Sequence, residues 1–382
     1  MRNPGRPISR RNALVAGASL LGGLGLSGVA RAAEPGSAGR RRPKLTPRQE
    51  AGQRVIFSYP GPTPPATLFD LVRAGEVGGV IFFGENIPDL AQVAAVVADL
   101  TAANEESPVD APLLLMTDQE GGIVRRIKPG EPTLTEKQIG ASADPTGAAH
   151  DAGIGAAQSL AGVGMNTNLA PVLDVYREAG NFDDQFGRSY SSDPEVCSAC
   201  GAAFVTAQQG LGIVATAKHF PGLGAATRAQ NTDLGTVTLT QPAGELHSVD
   251  EYPFVAAIKA GVDMVMTSWA VYPALDPVYP AGFSPAIVQG ELRDRLGFRG
   301  VTITDALEAG SLASFGDTGA RTVLAARAGM DVLLCSARDV TQGSAAVDAL
   351  AAAIEDHRLN PGHSRQALRR VLDLRTRLGR PS

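Results

Sequence analysis

A barrel of eight parallel strands, each followed by a helix, is the fold this sequence predicts. Three observations lead to it. Eight short runs rich in Val, Ile, Leu and Met recur along the chain, each followed by a stretch with apolar residues at helical spacing. The run over 112–117 is apolar at consecutive positions, which suits a strand buried on both faces. Several of them end in polar residues, at 118–120, 218–219 and 305, which is where the C-terminal mouth of such a barrel carries its chemistry. The competing architecture is a doubly wound open sheet. It fits less well, since no glycine-rich phosphate fingerprint follows the first strand and an open sheet would gather its polar ends at one crevice.

The 382 residues accommodate one such barrel plus an N-terminal extension. With 44% hydrophobic and 19% charged residues, the chain has a globular composition, and its 44 Gly and 26 Pro supply the many turns that eight strand–helix units need. A net charge of −5 with no basic run in the folded part speaks against nucleic acid and anionic membrane surfaces as partners.

The N-terminus differs in kind. Arg2, Arg6, Arg10 and Arg11 precede an uncharged run over 13–30, and Ala30-Arg31-Ala32 offers small residues for a signal peptidase. Ser9-Arg10-Arg11-Asn12-Ala13-Leu14-Val15 is similar to a twin-arginine export signal. The run is too weakly apolar for a stable span. The expected organisation is a cleaved signal over 1–33, a Pro-, Gly- and Arg-rich linker over 34–44 and a barrel over 45–382, with the mature protein outside the cytoplasm and no membrane span.

In order, 46–52 reads as a short capping helix and 54–59 as the first strand, stopped by Pro60-Gly61. A helix over 64–75 and a second strand over 79–83 follow. Leu90, Val93, Val96, Val97 and Leu100 share one face of a helix over 89–104. The third strand, 112–117, ends in Asp118-Gln119-Glu120-Gly121-Gly122. A helix over 146–162 leads to a fourth strand over 165–170. The long loop 176–192, with Asp183, Asp184 and Arg188, has the length of a functional loop. After a Pro-initiated helix over 192–211, Val214-Ala215-Thr216-Ala217-Lys218-His219 forms the fifth strand, turned by Pro221-Gly222. Strands over 264–269, 300–304 and 331–335 alternate with helices over 251–260, 284–296, 318–328 and 341–357. A last helix over 364–378 is expected to pack outside the ring.

Cys197 and Cys200 form a C-x-x-C inside the 192–211 helix, with no second cysteine pair or histidine cluster beside them. Zinc needs more ligands than that, so helix packing or a local disulfide is the expected role. Cys335 ends an apolar run and reads as a core thiol. No metal or organic cofactor is expected, because metal-ligand spacing such as H-E-x-x-H is missing.

Several ordered pieces then bear on function: Thr117-Asp118-Gln119-Glu120-Gly121-Gly122 with Arg126, Phe186-Gly187-Arg188-Ser189-Tyr190, Lys218-His219-Phe220-Pro221-Gly222, Met266-Thr267-Ser268, Tyr272-Pro273-Ala274-Leu275-Asp276-Pro277 and Thr304-Asp305-Ala306-Leu307. With these the chain, from about residue 46 to its end, resembles the N-terminal barrel of family 3 glycoside hydrolases. The likeness is greatest to the single-domain branch of exo-acting β-N-acetylhexosaminidases. The resemblance implies a carbohydrate substrate, Asp305 as nucleophile of a retaining mechanism, and Asp118, Arg126, Arg188, Lys218 and His219 around the terminal sugar. Such chemistry suits the residue types: a carboxylate under the anomeric carbon forms the glycosyl intermediate, and carboxylate and cationic groups grip hydroxyls. Glu120 and Asp174 are expected to orient the sugar-facing groups. A helix cap at Asp305 and ion pairs that merely close the barrel mouth are the bland alternatives.

The chain departs from that branch in one loop. There the Lys-His-Phe-Pro-Gly motif leads to an Asp-Ser-His whose histidine serves as acid and base, whereas this chain has no histidine between His219 and His247. Asp233 in the same loop is one candidate proton donor, provided burial raises its pKa. A donor from elsewhere, or a barrel that binds sugar and hydrolyses it weakly, are the others. A family 3 hydrolase for a different β-linked sugar is a further alternative. Trp269 stands where the family often has a histidine, and either stacks on sugar or is buried.

Overall fold

Each expected strand forms, and all eight join one parallel ring. They are β1 (Val55–Phe57), β2 (Gly79–Ile81), β3 (Leu114–Thr117), β4 (Thr167–Asn168), β5 (Thr216–Phe220), β6 (Met264–Thr267), β7 (Val301–Ala306) and β8 (Val332–Leu334). The computed structural model describes residues 44–378, so the expected signal and all of the linker but Lys44 lie outside the described residues. Each strand pairs in parallel with its sequence neighbour, and β8 returns to β1 through Val55 opposite Leu333. β4 and β5 meet through two parallel bridges, Thr167 with Val214 and Val172 with Lys218. The ring is therefore a (β/α)8 barrel.

Consecutive apolar residues serve both faces of the ring, because side chains alternate along a strand. Ile56, Ile81, Leu114, Met116, Met266, Ile303 and Leu334 fill the interior. Their neighbours Val55, Phe57, Val80, Leu115, Leu333 and Cys335 pack under the helices. Burying one such side chain contributes on the order of 1.5–3 kcal/mol, less whatever the unfolded chain already hides.

The helices start where local chemistry dictates. Asp193 caps Pro194–Gly210 by accepting from Glu195 N, with Pro194 at the first turn. That helix packs on Pro145–Ala161, and the approach is close: a Cβ on Gly153 would stand 2.5 Å from Phe204 O. Cys197 and Cys200 are free thiols buried along this contact, so helix packing is the role they have.

The last helix, Pro361–Leu378, differs from expectation. It lies across the N-terminal end of the ring. Val371 and Leu374 join the interior cluster with Ile56, Leu114 and Val301, while the buried Arg375 donates to Ala111 O at 3.0 Å and Pro112 O at 2.6 Å, just ahead of β3. A barrel interior open at the bottom would expose apolar side chains, and this helix closes it.

Two short antiparallel hairpins were not anticipated: Gln119–Gly121 with Val124–Arg125 after β3, and Val271–Tyr272 with Asp276–Pro280 after β6. Gly121 and Gly122 turn the first with φ of 135° and 52°. A Cβ on Gly121 would lie 2.4 Å from Leu134 O, so the paired glycines are required there. Among the described residues no helix is long and apolar enough to cross a membrane.

Candidate active site

The C-terminal ends of the strands open into a cavity of about 560 Å³. Asp118 enters from the end of β3, Glu120 and Arg126 from the hairpin after it, and Arg188 from the long loop after β4. β5 contributes Lys218 and His219, the loop after β5 contributes Asp233, and β7 contributes Asp305. All seven residues expected at the sugar line this cavity.

Beneath the opening is a tightly paired charge network. Arg188 meets Glu120 through two parallel bonds, Nε to Oε2 at 2.8 Å and Nη2 to Oε1 at 2.9 Å, and reaches Asp183 Oδ1 at 3.3 Å. Lys218 Nζ lies 2.8 Å from Asp118 Oδ1 and 2.6 Å from Glu120 Oε1. Burial alone would raise the carboxyl of Glu120, yet Arg188 and Lys218 hold it at about 2. Glu120 thus aligns both cations from within.

His219 is set by Asp174. Its Nδ1 stands 2.7 Å from Asp174 Oδ2, and Asp174 Oδ1 accepts from Leu223 N at 2.6 Å. Burial disfavours the imidazolium, but the charge and hydrogen bond of Asp174 raise the His219 pKa overall. With Nδ1 engaged, Nε2 is the ring nitrogen left for the cavity.

Asp305 is held by the sheet. Thr304 pairs with Thr267 of β6 and Ala306 with Leu334 of β8, and Asp305 Oδ1 accepts from Ala306 N at 2.7 Å. Trp269, which sequence left between stacking and burial, is buried at 1% exposure. Its Nε1 donates to Ala306 O at 2.8 Å, so it braces the strand end that carries Asp305.

Asp233 stands on an exposed turn at the cavity wall. The turn is pinned by backbone bonds beyond β7: Gly310 N donates to Asp233 O at 2.9 Å and Ser311 N to Thr232 O at 3.0 Å. Partial desolvation in the cavity wall, and after it the charge of Asp305, raise the Asp233 carboxyl above its ordinary value. Its neighbours include His219 and Arg188, which pull the other way.

Sequence reading missed several wall residues. Glu308, Ser336 and Arg338 line the side near β8; Ser336 Oγ donates to Glu308 Oε1 at 2.6 Å, and Arg338 lies 4.3 Å over the Phe83 ring. The polar residues just past the Leu334-Cys335 strand end were the signal for two of these. Behind the cavity, Glu136 is buried and accepts from Val172 N at 3.0 Å. Burial and then the charge of Glu120 push it well above the carboxylate range. Burial and the neighbouring Asp174 likewise bring Asp183 to about 7. Nothing local in the sequence marks Glu136, whose neighbours come from distant segments.

The profile of the glycosyl hydrolase family 3 N terminal domain matches residues 53–374. A protein of Arthroderma benhamiae named as an uncharacterized secreted glycosyl hydrolase is 48% identical over 331 residues, covering 86% of this chain and 93% of its own. The solved structure of a family 3 β-N-acetylglucosaminidase from Paenibacillus superposes with TM-score 0.81 at 33% identity, over 89% of this chain; this chain spans 64% of that one. A β-N-acetylhexosaminidase from Beutenbergia cavernae gives TM-score 0.78 at 34% identity, over 87% of this chain and 99% of its own. With the barrel complete and the family profile covering nearly all of it, the chain belongs to glycosyl hydrolase family 3.

Proposed function

We propose that the protein is an exported retaining exo-β-N-acetylglucosaminidase-like hydrolase of cell-wall or related glycans, with Asp305 as nucleophile and Asp233 as acid and base. The observation that carries this reading is that the two carboxyls share one cavity, with Asp233 raised by its surroundings and by Asp305. A carboxyl whose pKa is raised beside a second carboxylate suits the role of acid.

In the first step Asp305 attacks the anomeric carbon as the glycosidic bond breaks, and Asp233 gives its proton to the leaving oxygen. In the second, water attacks the glycosyl ester, Asp233 takes the water's proton, and Asp305 leaves as carboxylate, so configuration is retained. Asp118 accepts from sugar hydroxyls, and Arg126, Arg188, Lys218 and His219 donate to sugar oxygens. The pairing of Arg188 and Lys218 on Glu120 holds these donors in place before substrate arrives. Hydrolysis of this kind calls on no cofactor. Export is supported by the N-terminal pattern over 1–33 and by the secreted relative.

The test compares an activated aryl N-acetylglucosaminide with an N-acetylglucosamine disaccharide for wild type, Asp305→Asn and Asp233→Asn. Asp305→Asn abolishes turnover of both. Asp233→Asn costs roughly two to four orders of magnitude on the disaccharide and far less on the aryl substrate, whose leaving group needs no proton. An unchanged aryl rate in Asp305→Asn would remove the nucleophile assignment, and saturable sugar binding without any wild-type turnover would make the protein a binding barrel.

A further inference from the structure

On the outside of the barrel, away from the cavity, His247, Glu251 and Glu291 bring an imidazole nitrogen and two carboxylate oxygens within 4.8 Å of one another. We propose that these three side chains bind a divalent transition-metal ion of the zinc class, as a structural clasp between two consecutive crossover helices. His247 and Glu251 come from the β5–β6 crossover, where a wide turn over Leu246–Asp250 is closed by Glu251 N donating to Leu246 O at 2.8 Å. Glu291 comes from the β6–β7 crossover helix, Ala286–Arg295.

The spacing suits such an ion. His247 Nε2 and Glu291 Oε2 are 3.4 Å apart. Tetrahedral ligands at bond lengths of about 2.0–2.2 Å stand roughly 3.3–3.6 Å from one another. One nitrogen and two oxygens leave a fourth position for water, and the imidazole favours zinc-like ions over calcium or magnesium.

A second observation points to a missing cation. Glu251 is 0% exposed, and its Oε1 has no partner; His247 Nε2 is likewise buried without a hydrogen bond. A carboxylate oxygen removed from water and left without a donor is costly, and a cation relieves it. The cation now in reach is the guanidinium of Arg295, which contacts Glu251 Oε2 and Glu291 Oε2. One guanidinium faces two carboxylates, and Glu251 Oε1 stays unmet. The Arg295 side chain is 36% exposed, so it has a way out to solvent that Glu251 lacks. In the bound state Arg295 withdraws, and both carboxylates and His247 turn to the ion.

The site shares no residue with the cavity, so it stands or falls independently of the glycosidase reading. The test uses the full chain after chelator treatment, titrated with Zn²⁺ by calorimetry, with Co²⁺ as a spectroscopic probe of coordination and Mg²⁺ as control. Expected are one equivalent of bound Zn²⁺, a higher melting temperature with Zn²⁺, a cobalt spectrum of low coordination number and unchanged aryl-glycosidase activity. His247→Gln, at a half-exposed position that tolerates change, weakens binding by about tenfold or more. Arg295→Gln tightens it, because the competing cation is gone. Failure of both wild type and Arg295→Gln to take up stoichiometric Zn²⁺, binding in His247→Gln equal to wild type, or equal affinity for Mg²⁺ would each overturn the proposal.

Discussion

Glu120 and Lys218 stand 2.6 Å apart, Oε1 to Nζ, almost wholly buried, and the same carboxylate grips Arg188 through two bonds. One acidic side chain therefore bridges two cations at the base of the cavity. Removing its charge leaves Lys218 with Asp118 alone and Arg188 with Asp183 alone in a buried network, which lowers stability by about 3 kcal/mol.

Glu120→Gln should therefore unfold at lower urea, with a raised KM for any substrate that the two cations hold. The pH dependence has a definite sign. The folded carboxyl is held at about 2 against an ordinary 4.5, so its contribution is fully present above 4.5 and is lost as pH falls toward 2. The stability difference between wild type and Glu120→Gln should shrink over that window. A difference constant from pH 6 to pH 3 would contradict it.

With Asp233 as the proposed acid, its raised carboxyl is expected to set the alkaline limb of kcat/KM for an unactivated glycoside. As pH rises through that pKa the acid loses its proton and the rate falls. The limb lies above the ordinary aspartate value, and it flattens for an aryl glycoside with a good leaving group. Equal limbs for both substrates would mean that another group is the donor.

Gly310 positions Asp233. A Cβ there would lie 2.7 Å from Asp233 O and from the Leu234 carbonyl, so Gly310→Ala pushes the turn off its seat. The expected result is a fall in kcat on the disaccharide of roughly a hundredfold, the scale of a misplaced catalytic group. Turnover of the activated aryl substrate changes little. Parallel losses on both substrates would point to general misfolding of the cavity instead.

Leu374 reaches up into the barrel floor at 3% exposure. Leu374→Ala opens a cavity there and costs about 2–5 kcal/mol, read as a lower denaturation midpoint. KM should stay at the wild-type value, because the floor and the mouth lie at opposite ends of the strands. A shifted KM at unchanged stability would contradict that placement.

Strands such as β3 and β8 were legible because consecutive apolar residues leave no alternative to burial on both faces. The last helix was misplaced, since periodicity shows that Val371 and Leu374 need burial but not which apolar surface receives them. Glu136 went unnoticed for a related reason: a lone acidic residue at a helix start reads as solvated. It is buried because Val172 and the charges around Glu120 arrive from other units.

Local residue chemistry alone determined the strand–helix alternation, the polar strand ends at Asp118, Lys218 and Asp305, and the paired glycines at 121 and 122. Each of these follows from burial and backbone geometry over a few neighbouring positions. Ring closure decided the rest. It seated the Asp233 turn on the backbone of Gly310 and Ser311, set Glu120 between Arg188 and Lys218, and turned Trp269 inward to Ala306. Such pairings join strand ends that are distant along the chain, and a Coulomb attraction or a buried hydrogen bond exists only once the closed sheet has brought its two partners within a few ångströms.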